Sequence, residues 1–345
     1  MEANMQKTRL GRTGLMVSRS SFGALPIQRI SFDDAKRLLL KAYNNGINFY
    51  DTARVYSDSE EKIGYALSDV RKDIILATKS TATDKKTLLQ QLEISLKNMK
   101  TDYIDILQLH NPGVLPNPDD PESSYAGMIE AKRKGMVRFI GITNHRIKTA
   151  SEAVESGLYD TMQFPLSSLS SEVDLKLVEQ CREKDVGFIA MKAMSGGLIT
   201  NAASTFAFLR QYDNVVPIWG VQRESELDEF LEYEKNPPVL DNELWEVIKA
   251  DRSELAGNFC RGCGYCMPCP AGIEIPTQAR ISLLLRRAPF KPFLEEGFKG
   301  KMDLINKCIE CGHCKNHCPY GIDTPELLKR ELTNYSEFYA LHKDQ

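Results

Sequence analysis

Ser31-Phe32-Asp33-Asp34, then Leu38, Leu39 and Ala42, then Gly46-Ile47-Asn48-Phe49-Tyr50-Asp51, form one readable unit of the chain. Ser31 offers an N-cap with acid in the first turn. The leucines and Ala42 share a helical face, and Gly46 stands where a C-terminal glycine ends a helix. Ile47 to Tyr50 then reads as a strand. The unit recurs along the chain. Asp73 to Thr78, Tyr103 to Leu109, Val137 to Ile142, Thr161 to Phe164, Gly187 to Met191 and Val215 to Ile218 are further strand candidates, and a first lies near Ser20-Ser21-Phe22. Helical stretches separate them; in the one capped by Asp84, Leu88, Leu92, Leu96 and Met99 recur at helical spacing. Such alternation predicts parallel strands with right-handed crossovers. Eight units in about 220 residues suit a closed (β/α)8 barrel better than an open doubly wound sheet. No G-x-G-x-x-G follows the first strand, which argues further against an open dinucleotide fold.

The barrel does not use up the chain. At 345 residues there is room for a large domain and a satellite. Paired prolines at Asn236-Pro237-Pro238 mark the expected boundary, with a barrel over 1–238 and a second domain over 239–345. That second part opens with a connecting helix, about Asn242 to Leu255, and another helical stretch runs from Thr277 to Arg287. A net charge of −3 gives no basic field for nucleic acid or an acidic membrane surface. No apolar run approaches the roughly 18 residues a membrane span needs. The start, Met1-Glu2-Ala3-Asn4-Met5-Gln6-Lys7, lacks a basic-then-apolar secretory pattern, so a cytoplasmic location is expected.

Eight of the nine cysteines sit in two runs near the C-terminus. They are Cys260-Arg261-Gly262-Cys263-Gly264-Tyr265-Cys266-Met267-Pro268-Cys269-Pro270 and Cys308-Ile309-Glu310-Cys311-Gly312-His313-Cys314-Lys315-Asn316-His317-Cys318-Pro319. Thiols two residues apart converge on metal more readily than they pair as disulfides. Without an export signal they read as thiolate ligands in a reducing compartment. The second run has the spacing C-x2-C-x2-C-x3-C-P of bacterial ferredoxins, and the first differs by one residue. In two-cluster proteins the fourth cysteine of each run ligates the other cluster. The expected sets are therefore Cys260, Cys263, Cys266 with Cys318, and Cys308, Cys311, Cys314 with Cys269, each holding a [4Fe–4S] cluster in a small, mostly helical, ferredoxin-like domain. Two structural zinc sites are the alternative, although zinc ribbons use separated C-x2-C pairs. Cys181, alone in a helical stretch, reads as a buried hydrophobe.

A barrel carries its chemistry at the carboxyl ends of its strands. Asp51, Lys79 and His110 end the second, third and fourth, and Tyr56 follows in the loop after Asp51. Neighbouring strands let these groups converge. A phenol beside an ammonium loses its proton more easily than its free value near 10 implies. Asp51 can hold Lys79 charged, Tyr56 can protonate a carbonyl oxygen, and His110 can orient the substrate. General acid help of this kind is typically worth about 10²–10⁴ in rate.

The segment Gly46 to Tyr56, with the Lys79 and His110 strands, resembles the aldo-keto reductase family over about residues 8–235. With its cysteines the whole chain is similar to the ferredoxin-fused subgroup. The resemblance implies that Asp51, Tyr56, Lys79 and His110 form a catalytic tetrad, with Tyr56 as acid and hydride from NADP(H) or NAD(H). It places Thr143, Asn144 and Gln163 against the nicotinamide carboxamide, Met191 at the stacking position usually held by tyrosine, and Ser195-Gly196-Gly197 at the pyrophosphate. Arg223 falls near the 2′-phosphate position, one residue off the family register, where a solvated helix-start arginine is the alternative.

Three functions are compatible with this combination. The first is an NAD(P)H-dependent carbonyl reductase or alcohol dehydrogenase, whose clusters exchange electrons with a partner protein or brace the fold. The second keeps the acid–base tetrad but draws electrons from the clusters through a flavin such as FMN. Hydride carries two electrons whereas each cluster passes one, so direct exchange with nicotinamide is awkward. The third is a redox sensor or electron carrier without catalysis, against which the intact tetrad argues. The proline-rich loop after His110, with Pro112, Pro116, Pro118 and Pro121, is stiff but names no substrate beyond a small carbonyl or alcohol.

Overall fold

A computed structural model describes residues 5–255, 259–287 and 290–343. Two compact units emerge. The first runs to Ala193 and resumes over Ala202–Glu246; the second joins Met194–Asn201 to the chain from Val247 onward. The prolines at 237 and 238 follow the helix Glu224–Lys235, and the division between units falls inside the next helix, Asn242–Glu254.

The first unit is the expected barrel. After a hairpin of β1 (Lys7–Arg9) and β2 (Met16–Ser18) come β3 (Ser21–Gly23), β4 (Phe49–Asp51), β5 (Ile75–Ser80), β6 (Ile104–His110), β7 (Val137–Thr143), β8 (Thr161–Pro165), β9 (Gly187–Met191) and β10 (Val215–Gly220). Strands β3 to β10 close in the order β10-β3-β4-β5-β6-β7-β8-β9, every pair parallel. The helices between them start where side chains satisfy the free amides of the first turn. Ser31 accepts from the Asp34 amide, Asp84 from Thr87 and Ser123 from Ala126, while Ser171 and Asp174 form a reciprocal capping box. Cys181 is fully buried in the helix Glu172–Glu183, and burial pushes its thiol up to about 12.

The hairpin explains why the site lies at one end only. Leu10, Leu15 and Val17 join Phe49, Ile75, Ile106, Ile189 and Val216 in one apolar cluster. Most of these strand residues come early in their strands, so the hairpin stoppers the amino-terminal end and leaves the carboxyl ends for chemistry. Its turn approaches β9 very closely. Gly11 is left-handed (φ 48°), and a Cβ there would lie 2.2 Å from the Gly187 nitrogen. Arg12 donates its amide to Asp185 O at 2.6 Å, and Arg9 pairs with the Asp185 carboxylate at 2.7 Å.

The described residues of the second unit contain helices and turns but no strand. Ile275–Gln278, Ile281–Arg287, Glu296–Asp303, His313–His317 and Thr324–His342 are its α-helical segments after Glu254. Ile273, Ile281, Met302, Ile305, Leu328 and Tyr335 form its buried core.

A contrast between two hairpin glycines tests the stopper. Gly14 is also left-handed (φ 67°) but has open space around a Cβ. Gly14→Ala should therefore cost only about 1 kcal/mol of backbone strain. Gly11→Ala adds a backbone clash and should cost about 2–4 kcal/mol, read from urea unfolding. Equal losses would show that the close approach to β9 is unimportant.

Candidate active site

Asp51 ends β4 and Lys79 lies near the end of β5, both almost fully buried, at 3% and 1% exposure. The Lys79 Nζ donates to Asp51 Oδ2 at 2.5 Å and to Thr52 O at 2.6 Å. Two amides complete the carboxylate: Gln108 Nε2 donates to the other oxygen, Oδ1, at 3.1 Å, and Gln163 Nε2 to Oδ2 beside Lys79 at 3.3 Å. Burial raises the Asp51 pKa, opposed by the Lys79 charge and these hydrogen bonds. Burial likewise lowers that of Lys79, opposed chiefly by Asp51 and also by Glu60.

Glu60 and Gln108 are partners that the sequence reading did not single out. Glu60 is fully buried, accepts from Thr78 Oγ1 at 2.7 Å and pairs with Arg54. In sequence it looks like an ordinary acid in a helix's first turn. Gln108 alternates with apolar residues in β6, and its register opposite Lys79 is the only hint of its role.

Tyr56 is half-buried beyond this pair. The Lys79 Nζ stands 5.4 Å from its ring centroid. His110, at the end of β6, meets the same ring edge-on with centroids 5.8 Å apart and planes at 84°. Burial, then the Lys79 charge, pushes the His110 pKa down to about 3, so the imidazole is neutral at physiological pH. The four tetrad candidates thus form one continuous cluster.

Ser57, Asn111 and Lys192 are left-handed, with φ of 34°, 55° and 56°, and each directly follows a candidate: Tyr56, His110 or Met191. Strained backbone of this kind gathers at functional sites.

Thr143 and Met191 end β7 and β9, and Gln163 lies mid-strand in β8, paired in register with Thr143. The Thr143 hydroxyl lies 3.7 Å from the Met191 sulfur. Gln163 has one committed end, its Nε2, while its buried Oε1 has no protein partner. An orphaned acceptor at this place fits the amide donor of a nicotinamide carboxamide. Asn144 is engaged at both ends of its side chain: Nδ2 donates to Pro112 O at 2.9 Å and Oδ1 accepts from the Arg146 amide at 2.8 Å. It braces the loop. Arg223 stands at the start of the helix Glu224–Lys235 and pairs with Glu226 at 3.2 Å, its side chain 71% exposed. Ser195, Gly196 and Gly197 belong to the second unit, and the Gly197 amide is engaged by Met194 O at 2.9 Å.

The other cysteines line two open pockets. One is lined by Cys260, Cys263, Cys266 and Cys318, the other by Cys269, Cys308, Cys311 and Cys314, with Cys266 touching both. Gly262 and Gly264 (φ 61° and 80°) let the first run wrap inward, and the Gly262 amide donates to Cys260 Sγ at 3.3 Å. Among the described residues no three His, Cys, Asp or Glu side chains close on the spacing of a single metal ion. Thiols spread around a larger cavity fit a cubane. Burial raises Cys266 to about 12, so iron must displace protons to bind there. His313 and His317 stack on each other at 4.1 Å in the helix His313–His317 beside the second run.

The Aldo/keto reductase family model matches residues 19–207, more than half of the chain. A 4Fe-4S dicluster domain model matches residues 259–323. The chain belongs to the aldo-keto reductase family: it is an oxidoreductase with a parallel eight-stranded barrel and a helical C-terminal region carrying a 4Fe-4S domain. It is 31% identical over 212 residues to the uncharacterized oxidoreductase YqkF of Bacillus subtilis, covering 57% of this chain and 67% of that protein. It is 29% identical over 210 residues to L-galactose dehydrogenase of Arabidopsis thaliana, covering 55% of this chain and 66% of that one. Among solved structures, an aldo-keto reductase from Klebsiella pneumoniae in complex with NADPH superimposes with a TM-score of 0.62 at 18% identity, covering 72% of this chain and 95% of that one. A putative aldo-keto reductase from Pseudomonas aeruginosa gives 0.59 at 20%, covering 68% and 97%. No helix among the described residues is long and apolar enough to cross a membrane.

Asp51→Asn would leave Lys79 buried beside a neutral amide. The variant should lose about 3–5 kcal/mol in urea unfolding, as expected when one partner of a buried pair is removed. Cys269→Ala should damage the cluster of the second run, and Cys318→Ala that of the first. Iron content with electron paramagnetic resonance reads this, and damage confined to each mutated run's own cluster would refute the crossing.

Proposed function

We propose that the barrel interconverts a small carbonyl compound and its alcohol, with Tyr56 as general acid and base. The observation that carries this reading is the buried Asp51–Lys79 pair set against the half-buried Tyr56 phenol. In the reducing direction the Tyr56 hydroxyl gives its proton to the carbonyl oxygen as negative charge develops there. The Lys79 ammonium, below the ring, stabilises the phenolate that remains. Because burial weakens the hold of Lys79 on its own proton, it can also return one to Tyr56. Neutral His110 offers a ring nitrogen to the substrate oxygen without competing as an acid. A bound NADP(H) or NAD(H), held by Thr143, Gln163 and Met191, would supply or accept the hydride at the substrate carbon.

Two [4Fe–4S] clusters belong to the same proposal, ligated by the crossed cysteine sets and exchanging single electrons with a partner protein. Thiolate-bound iron of this kind suits a reducing, cytoplasmic setting.

Tyr56→Phe should reduce carbonyl turnover at least about 10²-fold while nucleotide binding, followed by cofactor fluorescence, is kept. An unchanged rate would sink the assignment. His110 should impose no inflection on the kcat/KM profile between about pH 5 and 7.5, since its imidazole stays neutral there. In stability the sign is fixed: the unfolded histidine, near 6.5, binds a proton that the folded one refuses down to about 3. Its contribution is therefore full above about pH 6.5 and falls as pH drops toward 3. A flavin spectrum in the purified protein, with no binding of either nicotinamide, would replace the hydride donor proposed.

A further inference from the structure

The first cysteine run and the segment Met194–Asn201, which joins β9 to the helix Ala202–Arg210, meet at one side chain inside the second unit. Arg280 Nη1 donates to Gly196 O at 3.0 Å. A Cβ on Gly196 (φ 69°) would come within 3.1 Å of that same nitrogen. A Cβ on Gly262 (φ 61°) would lie 2.9 Å from the Arg280 guanidinium carbon. Two left-handed glycines, 66 positions apart, thus leave their missing side chains' space to one cation. Gly262 also donates its amide to Cys260 Sγ. The guanidinium therefore packs on the turn that presents the Cys260 sulfur.

We infer that Arg280 is a positioning residue for the first cluster: it clamps the Cys260–Cys263 turn against the Met194–Asn201 segment and raises that cluster's reduction potential through its charge. The inference rests on the two-cluster reading. Its physics is general. A cubane with four thiolates is an anion that gains one more negative charge on reduction, and its potential follows local net charge and hydrogen bonding to sulfur. A fixed cation beside one ligand favours the reduced form. Arg280 packs on the first run at Gly262, so the second cluster supplies an internal control. Gly196, placed by family resemblance at a pyrophosphate, here also leaves room for the Arg280 guanidinium.

The test uses the full chain purified without oxygen, in wild-type form and as Arg280→Gln and Arg280→Lys. Iron and sulfide analysis comes first: wild type lacking about eight iron atoms per chain rejects the two-cluster reading itself. Each loaded protein is then reduced stepwise with dithionite under electron paramagnetic resonance. Arg280→Gln should shift the one-electron equilibrium of one cluster about tenfold toward the oxidised form, ~59 mV, leaving the other unmoved. Arg280→Lys, which keeps the charge, should shift it less than half as far. Wild-type midpoints in fully loaded Arg280→Gln, equal movement of both clusters, or an equal shift in Arg280→Lys would each overturn the inference. If Arg280→Gln loses iron, a fully loaded Arg280→Lys with near-native midpoints supports it, and loss of iron there as well overturns it.

Discussion

The Lys79–Asp51 ion pair is the constraint around which the barrel's open end is arranged. Taking two charges out of water costs more than their attraction alone returns, so such a pair persists only if further hydrogen bonds complete it. Thr52 O, Gln108 and Gln163 do so, drawn from the β4 edge, β6 and β8. Burial pushes the two pKa values toward each other. That is a poor way to stabilise a protein, and it places a buried positive charge 5.4 Å from the Tyr56 ring centroid.

The same logic explains the division between the two ends. The amino-terminal end is sealed by apolar contacts and by backbone approaching backbone at Gly11 and Gly187, with the Arg9–Asp185 ion pair beside it. At the carboxyl end, charges are buried, backbone is left-handed at Ser57, Asn111 and Lys192, and Gln163 keeps an acceptor without a protein partner. Strain and incomplete hydrogen bonding are tolerable there because the sealed end and the closed sheet hold the strands in register.

The legible parts were those with a local cause. Ser31 and Asp84 cap the helices expected of them, and Asp51, Lys79 and His110 stand at strand ends because apolar runs stop there. The strands Lys7–Arg9 and Met16–Ser18 are three residues each, too short to show a period, and so the stopper was not foreseen. Glu60 and Gln108 owe their importance to burial and register, which no short window reveals. Asn144 fits the family's pattern as a sequence, and the structure gives its side chain a bond to Pro112 and one to the Arg146 amide as well. A motif names residue types; only packing says which atoms remain available.

For the cysteine runs the sequence reading already led to crossed sets, and the two pockets are lined by Cys260, Cys263, Cys266 and Cys318 and by Cys269, Cys308, Cys311 and Cys314, with Cys266 at both. If the proposed crossed sets hold the metal, they tie the two runs together, so that metal loading and folding of this unit become one event. Met194–Asn201 gives this core a physical link to the barrel chain, since the segment begins three residues after Met191 while packing with the cysteines' unit.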